Sequence, residues 1–88
     1  MIQRPGTIVN SLGMHARPAA QVVRLASGFK AAIELAHDGQ VVNGKSIMGV
    51  MTLAAECGAV VLVRAAGEDE EAAVVALLEL IAKGFGEK

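Results

Sequence analysis

The spacing of hydrophobic positions changes repeatedly along the chain, and glycine, proline and turn dipeptides mark the changes. Gln3–Asn10 reads as a strand through Thr7, Ile8 and Val9. Pro5 lies inside it and argues for a sheet edge, because proline has no N–H to give to a ladder. Residues 11–15 form a loop. From Ala16 to Ser27, positions Ala19, Val22, Val23 and Ala26 fall on one face of a helix. Pro18 belongs to its first turn, where the missing N–H costs nothing, and Gly28 is placed to stop it in a left-handed conformation. Ala32–His37 alternates, with Ile33 and Leu35 on one face and Glu34 on the other. Asp38-Gly39 then predicts a tight hairpin turn into a short strand at Gln40–Val42.

Asn43-Gly44 is a further turn, and Ser46 is a good N-cap for a short helix from Ile47 to about Ala54. Its apolar face is expected to hold Ile47, Val50, Met51 and Ala54, with Met51 filling the core. Gly58 ends that segment. Ala59–Ala65 is the most apolar run, rich in β-branched residues, and predicts a central strand. After Gly67, Asp69-Glu70-Glu71 opens a long helix with acids at the positive end of its dipole. Val74, Leu77, Leu78 and Ile81 form its buried stripe, and Gly84 closes it. The predicted order is β-α-β-β-α-β-α, an α+β class. Helices with one apolar face each would cover one side of a four-stranded antiparallel sheet and leave the other to solvent. With 88 residues and no linker or repeat, one domain spanning 1–88 is expected.

Composition narrows the function. Hydrophobic residues make up 53% of the chain, but most are small: 16 Ala and 11 Val stand against two Phe and no Tyr or Trp. Stacking on single-stranded nucleic acid needs aromatic platforms, so that class is all but excluded. No apolar run approaches the roughly 18 residues of a membrane span. Met1–Pro5 lacks the apolar stretch of a signal peptide, and the single Cys fits a reducing cytoplasm. The net charge of −1 is unevenly laid out. Residues 1–50 carry five basic groups and two acidic ones, whereas residues 51–88 carry three basic and seven acidic. The first half is therefore the place to look for an anion site or an acidic partner. A small core leaves no room for a deep pocket, so any chemistry belongs at the surface.

His15 is the candidate centre. It stands at the N-cap position of the first helix, where unpaired backbone N–H groups make an anion site. Arg17 adds a guanidinium suited to phosphate oxygens, and Arg24 lies on the same helix face. An imidazole titrates near about 6.5, so much of it is neutral and nucleophilic at pH 7. A nucleophile, an anion-binding backbone and a phosphate-matching cation suit acceptance and donation of a phosphoryl group. The competing reading is a surface histidine that merely caps a helix. The cluster lacks a general-base triad, and His15, His37 and Cys57 lack metal-ligand spacing, so neither metal nor cofactor is expected. His37 reads as a surface strand residue and Cys57 as an incidental thiol.

Gly13-Met14-His15-Ala16-Arg17-Pro18-Ala19 resembles the active-site motif of the HPr family, the histidine-containing phosphocarriers of the phosphoenolpyruvate-dependent phosphotransferase system. Gly44-Lys45-Ser46-Ile47-Met48-Gly49-Val50-Met51 resembles that family's second motif, around its regulatory serine. The spacing between them, the Gly67-Glu68-Asp69-Glu70 entry to the last helix and the length also agree, so the likeness covers essentially the whole chain. Ala54 and Ala55 depart from it, standing where many such sequences have a glycine. The leader through Asn10, Leu12, Gly13 and Met14 is also similar to the nitrogen-related branch of these carriers.

The resemblance implies an open-faced β-sandwich with strand order 1-4-2-3 and three helices on one face. It implies that enzyme I phosphorylates the pros nitrogen, Nδ1, of His15, and that the group passes to an A component serving sugar uptake or regulation. Backbone N–H groups of Ala16 and Arg17 would hold the phosphate, with the Arg17 side chain compensating charge. Ala16, Ala19 and Ala20 would keep the surface low for a partner's approach. Ser46 would be phosphorylated by an HPr serine kinase/phosphorylase. The docking face would join Ala20 and Arg24 to Ile47, Met48 and Met51. The implied protein is a cytoplasmic monomer, a carrier rather than a free-standing enzyme. It has no nucleic-acid partner and does not insert in membranes. The competing class is a regulatory module of the same fold that works mainly by docking. A small acid-phosphate hydrolase would need an Asn–Arg pair in a Gly-rich loop, and the chain has none.

Overall fold

The structure, a computed structural model, describes residues 1–87. Lys88, counted in the charge balance and in the 1–88 domain reading, lies outside the described residues. The elements run β1 (Ile2–Thr7), α1 (Ala16–Ser27), β2 (Ala32–His37), β3 (Gln40–Asn43), α2 (Ile47–Thr52), β4 (Val60–Ala66), α3 (Glu70–Ala82) and a final 3-10 turn, Gly84–Gly86. The strands form one antiparallel sheet in the order β1-β4-β2-β3. Pro5 indeed sits on an edge strand, opposite Leu62 of central β4. The β2–β3 hairpin turns at Asp38 (φ 51°) and Gly39 (φ 81°), the doubly left-handed geometry that matches strand twist.

One sheet face carries Ile33, Leu35, Val61, Val63 and Ala65, all buried. Onto it pack α1, through Ala19, Val22 and Ala26, and α3, through Ala73, Val74, Leu77 and Ile81. Each fully buried valine or leucine contributes roughly 1.5–3 kcal/mol. The other face is open. Across it the register aligns Gln3, Arg64 and Glu34, and the Arg64 guanidinium donates to Gln3 Oε1 and lies 4.0 Å from Glu34 Oε1.

Several local expectations are corrected. The first strand spans Ile2–Thr7 rather than Gln3–Asn10, and Ile8 just beyond it enters the core while its backbone still pairs with Ala59 and Gly58. Gly28 is right-handed (φ −78°, ψ −8°). The end of α1 tightens instead, with the N–H groups of Gly28 and Phe29 donating to Leu25 O and Ala26 O, both at 3.1 Å. In α2 only Val50 is buried, while Ile47 and Met51 are 45% and 40% exposed. A six-residue helix resting on one side buries one row, and the chain regains the core at Leu53 and Ala55. Met51 therefore does not fill the core. Ala54 is exposed and left-handed (φ 50°), a conformation that strains any residue with a Cβ.

Asp69 stands at the N-cap position of α3 without capping it. Its carboxylate instead accepts the N–H groups of Lys30 and Ala31, each at 2.8 Å, and so ties the α1–β2 connection to the start of α3. Gly67 is required beside this clasp, because a Cβ there would lie 2.8 Å from the Ala31 Cα.

Candidate functional site

The loop that presents His15 is fastened from below. Asn10, only 1% exposed, donates from Nδ2 to Gly13 O at 2.8 Å. Met14 N–H donates to Ala55 O at 2.8 Å, and Met14 is buried. Gly13 is left-handed and so close to the segment after α2 that a Cβ would come within 2.5 Å of Ala55 O. This close approach explains the glycine of the motif.

His15 follows with extended backbone (φ −89°, ψ −168°) at the N-cap position of α1. Its side chain makes no cap hydrogen bond, which removes the reading of a mere capping histidine. The ring is 36% exposed, and its Nε2 lies 2.9 and 2.8 Å from the two carboxylate oxygens of Glu87. Asn10 Nδ2 donates to the same carboxylate, at 3.0 Å from Oε1. The Glu87 carboxyl is held below its ordinary value of 4.5, chiefly by the His15 hydrogen bond, with help from Asn10 and the nearby Arg17 charge.

Ala16 and Arg17 occupy the first turn of α1, where N–H groups have no intrahelical acceptor. No backbone partner is found for either among the described residues. Both side chains are exposed, as is that of Arg24 on the same face of α1. Ala20 is half-buried, but Ala19 is wholly buried, so it belongs to the core and not to the low surface expected of it. α1 packs beside α2, which places exposed Ile47, Met48 (75%) and Met51 on the neighbouring element. Ser46 caps α2 as expected, its Oγ accepting Gly49 N–H at 3.2 Å. His37 and Cys57 stand apart from the site. His37 Nδ1 lies 3.2 Å from Val60 O, and exposed Cys57 contacts Val9 O at 3.8 Å. Among the described residues no group of His, Cys, Asp or Glu is arranged to hold a metal.

Asn10 and Glu87 are the site residues that sequence reasoning missed. Nothing local signals them, since Glu87 is 72 positions from the ring it contacts. The one hint is Gly84-Phe85-Gly86, a segment able to fold the chain back after the last helix.

An open-faced sandwich that exposes a histidine over the start of its first helix is the architecture of a known class of small phosphoryl carriers. The family model described as PTS HPr component phosphorylation site matches residues 2–83, and the chain belongs to this HPr family, the phosphocarriers of the phosphotransferase system. It is 48% identical over 87 residues to the Phosphocarrier protein HPr of Cupriavidus necator, covering 99% of this chain and 98% of that one. Its structure superposes on HPr from Thermoanaerobacter tengcongensis with a TM-score of 0.95 at 46% identity, over 100% of this chain and 99% of that one. Crh of Bacillus subtilis, a catabolite repression protein described as a dimer with a swapped domain, is 39% identical with a TM-score of 0.77, over 96% and 97%.

Proposed function

We propose that residues 1–88 act as one carrier domain whose His15 Nδ1 receives a phosphoryl group from enzyme I and passes it to an A component serving sugar uptake or regulation. The observation that carries this reading is a half-exposed imidazole, unoccupied by capping, beside the unpaired N–H groups of Ala16 and Arg17. A phosphate on the ring would meet those donors and the N-terminal end of the helix dipole. The Arg17 guanidinium, exposed and without a carboxylate in ion-pair contact among the described residues, is free to compensate the transferring charge. No pocket is needed, because donor and acceptor are proteins that bring their own groups.

Ser46 is the regulatory position in this reading, phosphorylated by an HPr serine kinase/phosphorylase. The docking surface runs from Ala20 and Arg24 to Ile47, Met48 and Met51, an apolar centre with a basic rim. The protein works as a monomer in the cytoplasm. No described helix is long and apolar enough to cross a membrane. The test is incubation with phosphoenolpyruvate and enzyme I. One phosphoryl group should be gained, labile in acid and stable in base, and lost in His15→Ala with the fold intact. Label on another residue would overturn the reading.

A further inference from the structure

The carboxylate of Glu87 occupies one of the two nitrogens of His15, and the fold goes to some length to bring it there. Gly84 (φ 61°), Phe85 (φ 58°) and Gly86 (φ 76°) are three successive left-handed residues. Phe85 tolerates that strained backbone because its ring is buried in the core, 3% exposed, and Gln21 of α1 donates to its carbonyl at 3.0 Å. The turn closes through Gly86 N–H to Lys83 O and Glu87 N–H to Gly84 O, at 3.2 and 2.9 Å. Buried Asn10 then grips both Gly13 O and Glu87 Oε1, joining the carboxylate to the loop that carries the histidine. Among the described residues the charged group in contact with the ring is Glu87, and the Arg17 charge acts on that same carboxylate.

We infer that Glu87, steadied by Asn10, is a positioning residue that fixes the tautomer of His15 and thereby makes Nδ1 the phosphoryl-accepting nitrogen. The inference rests on the carrier reading and deepens it. An ionised carboxylate can only accept hydrogen bonds. Nε2 must therefore carry the proton that Glu87 receives, and the lone pair is left on Nδ1. Transfer then balances without proton movement. The Nδ1 lone pair forms the new N–P bond while the phosphoryl bond to a donor imidazole breaks, and its electron pair returns to the donor ring. The proton stays on Nε2, and the positive charge arising on the His15 ring faces the carboxylate that already binds it.

The test is Glu87→Gln, whose amide can donate to Nε2 as readily as accept from it. Nitrogen-15 spectra of His15 at pH 8.5 should show the Nε2–H form strongly dominant in the wild type and a mixture in the variant. The kcat for accepting phosphate from enzyme I should fall about tenfold, the lower end of losses when a histidine's orienting carboxylate is removed. KM should stay within about twofold, because Glu87 acts through His15 and not on the partner. An unchanged tautomer together with an unchanged kcat would overturn the inference. The spectra need no partner protein, so a wild type that takes up no phosphate would count against the carrier reading alone.

Discussion

At the scale of single residues, the proposed regulatory role of Ser46 would fall on a hydroxyl that already caps α2. Its Oγ accepts the Gly49 N–H, a cap whose removal costs about 1 kcal/mol. Next to it stand Ile47 and Met48, both exposed, so a phosphate there would put about −1.5 to −2 charges beside the apolar centre of the proposed docking face. Ser46→Asp is expected to slow phosphorylation of His15 sharply while leaving the unfolding temperature at or above that of the wild type, since Asp also caps. Ser46→Ala should unfold at a lower temperature and still accept phosphate. Wild-type transfer by Ser46→Asp would make the serine a cap and nothing more. Arg17 and His15 were legible as candidates because their motif is contiguous. Glu87 was not, because its contact depends on the path of the whole chain.

Carboxylates that accept backbone N–H groups fasten connections in this fold, and Glu70 also pairs with the N-terminal ammonium of Met1 at 3.2 Å. Asp69 clasps Lys30 and Ala31 N–H, and Glu70 accepts Gly67 N–H at 3.0 Å. The Lys30 N–H lowers the Asp69 carboxyl below its ordinary 3.8, and the Gly67 N–H lowers Glu70 below 4.5. Groups with folded values below their unfolded ones stabilise the fold fully above the unfolded value, and lose that contribution as pH falls through the folded one. The unfolding temperature should therefore hold level from pH 7 to about 5 and drop below about pH 4. Asp69→Asn should lower it at pH 7 and flatten the acid decline, as followed by circular dichroism. A decline as steep as in the wild type would assign the acid sensitivity elsewhere. Sequence had placed Asp69 at the helix start for its dipole. The clasp depends on a turn 38 residues away, which no helix pattern reports.

For the molecule as a whole, charge is divided between helices as well as between halves of the sequence. Exposed Arg17 and Arg24 lie on α1, whereas Glu70 and Glu71 open α3. In the proposed carrier role, such a distribution would steer an acidic partner toward His15. Arg24→Glu is expected to lower the association rate with enzyme I about tenfold at low salt, with the deficit shrinking toward 0.5 M salt, in stopped-flow measurements. A deficit independent of salt would mean that Arg24 makes a short-range contact instead.

Periodicity by itself determined where most elements lie. The bounds of α1 and β2 and the Asp38-Gly39 hairpin follow from side-chain spacing and turn chemistry, which act within a few residues. The HPr motifs determined the candidate site at His15, Arg17 and Ser46 for the same reason, being short and contiguous. Tertiary structure decided the rest. It left Ile47 and Met51 in solvent, because a helix of a turn and a half resting on Val50 has only one side to bury. It sent Asp69 to the backbone of another connection. It brought Glu87 across 72 positions to His15, because buried Phe85 sets where the chain turns back and Asn10 sets where its carboxylate stops.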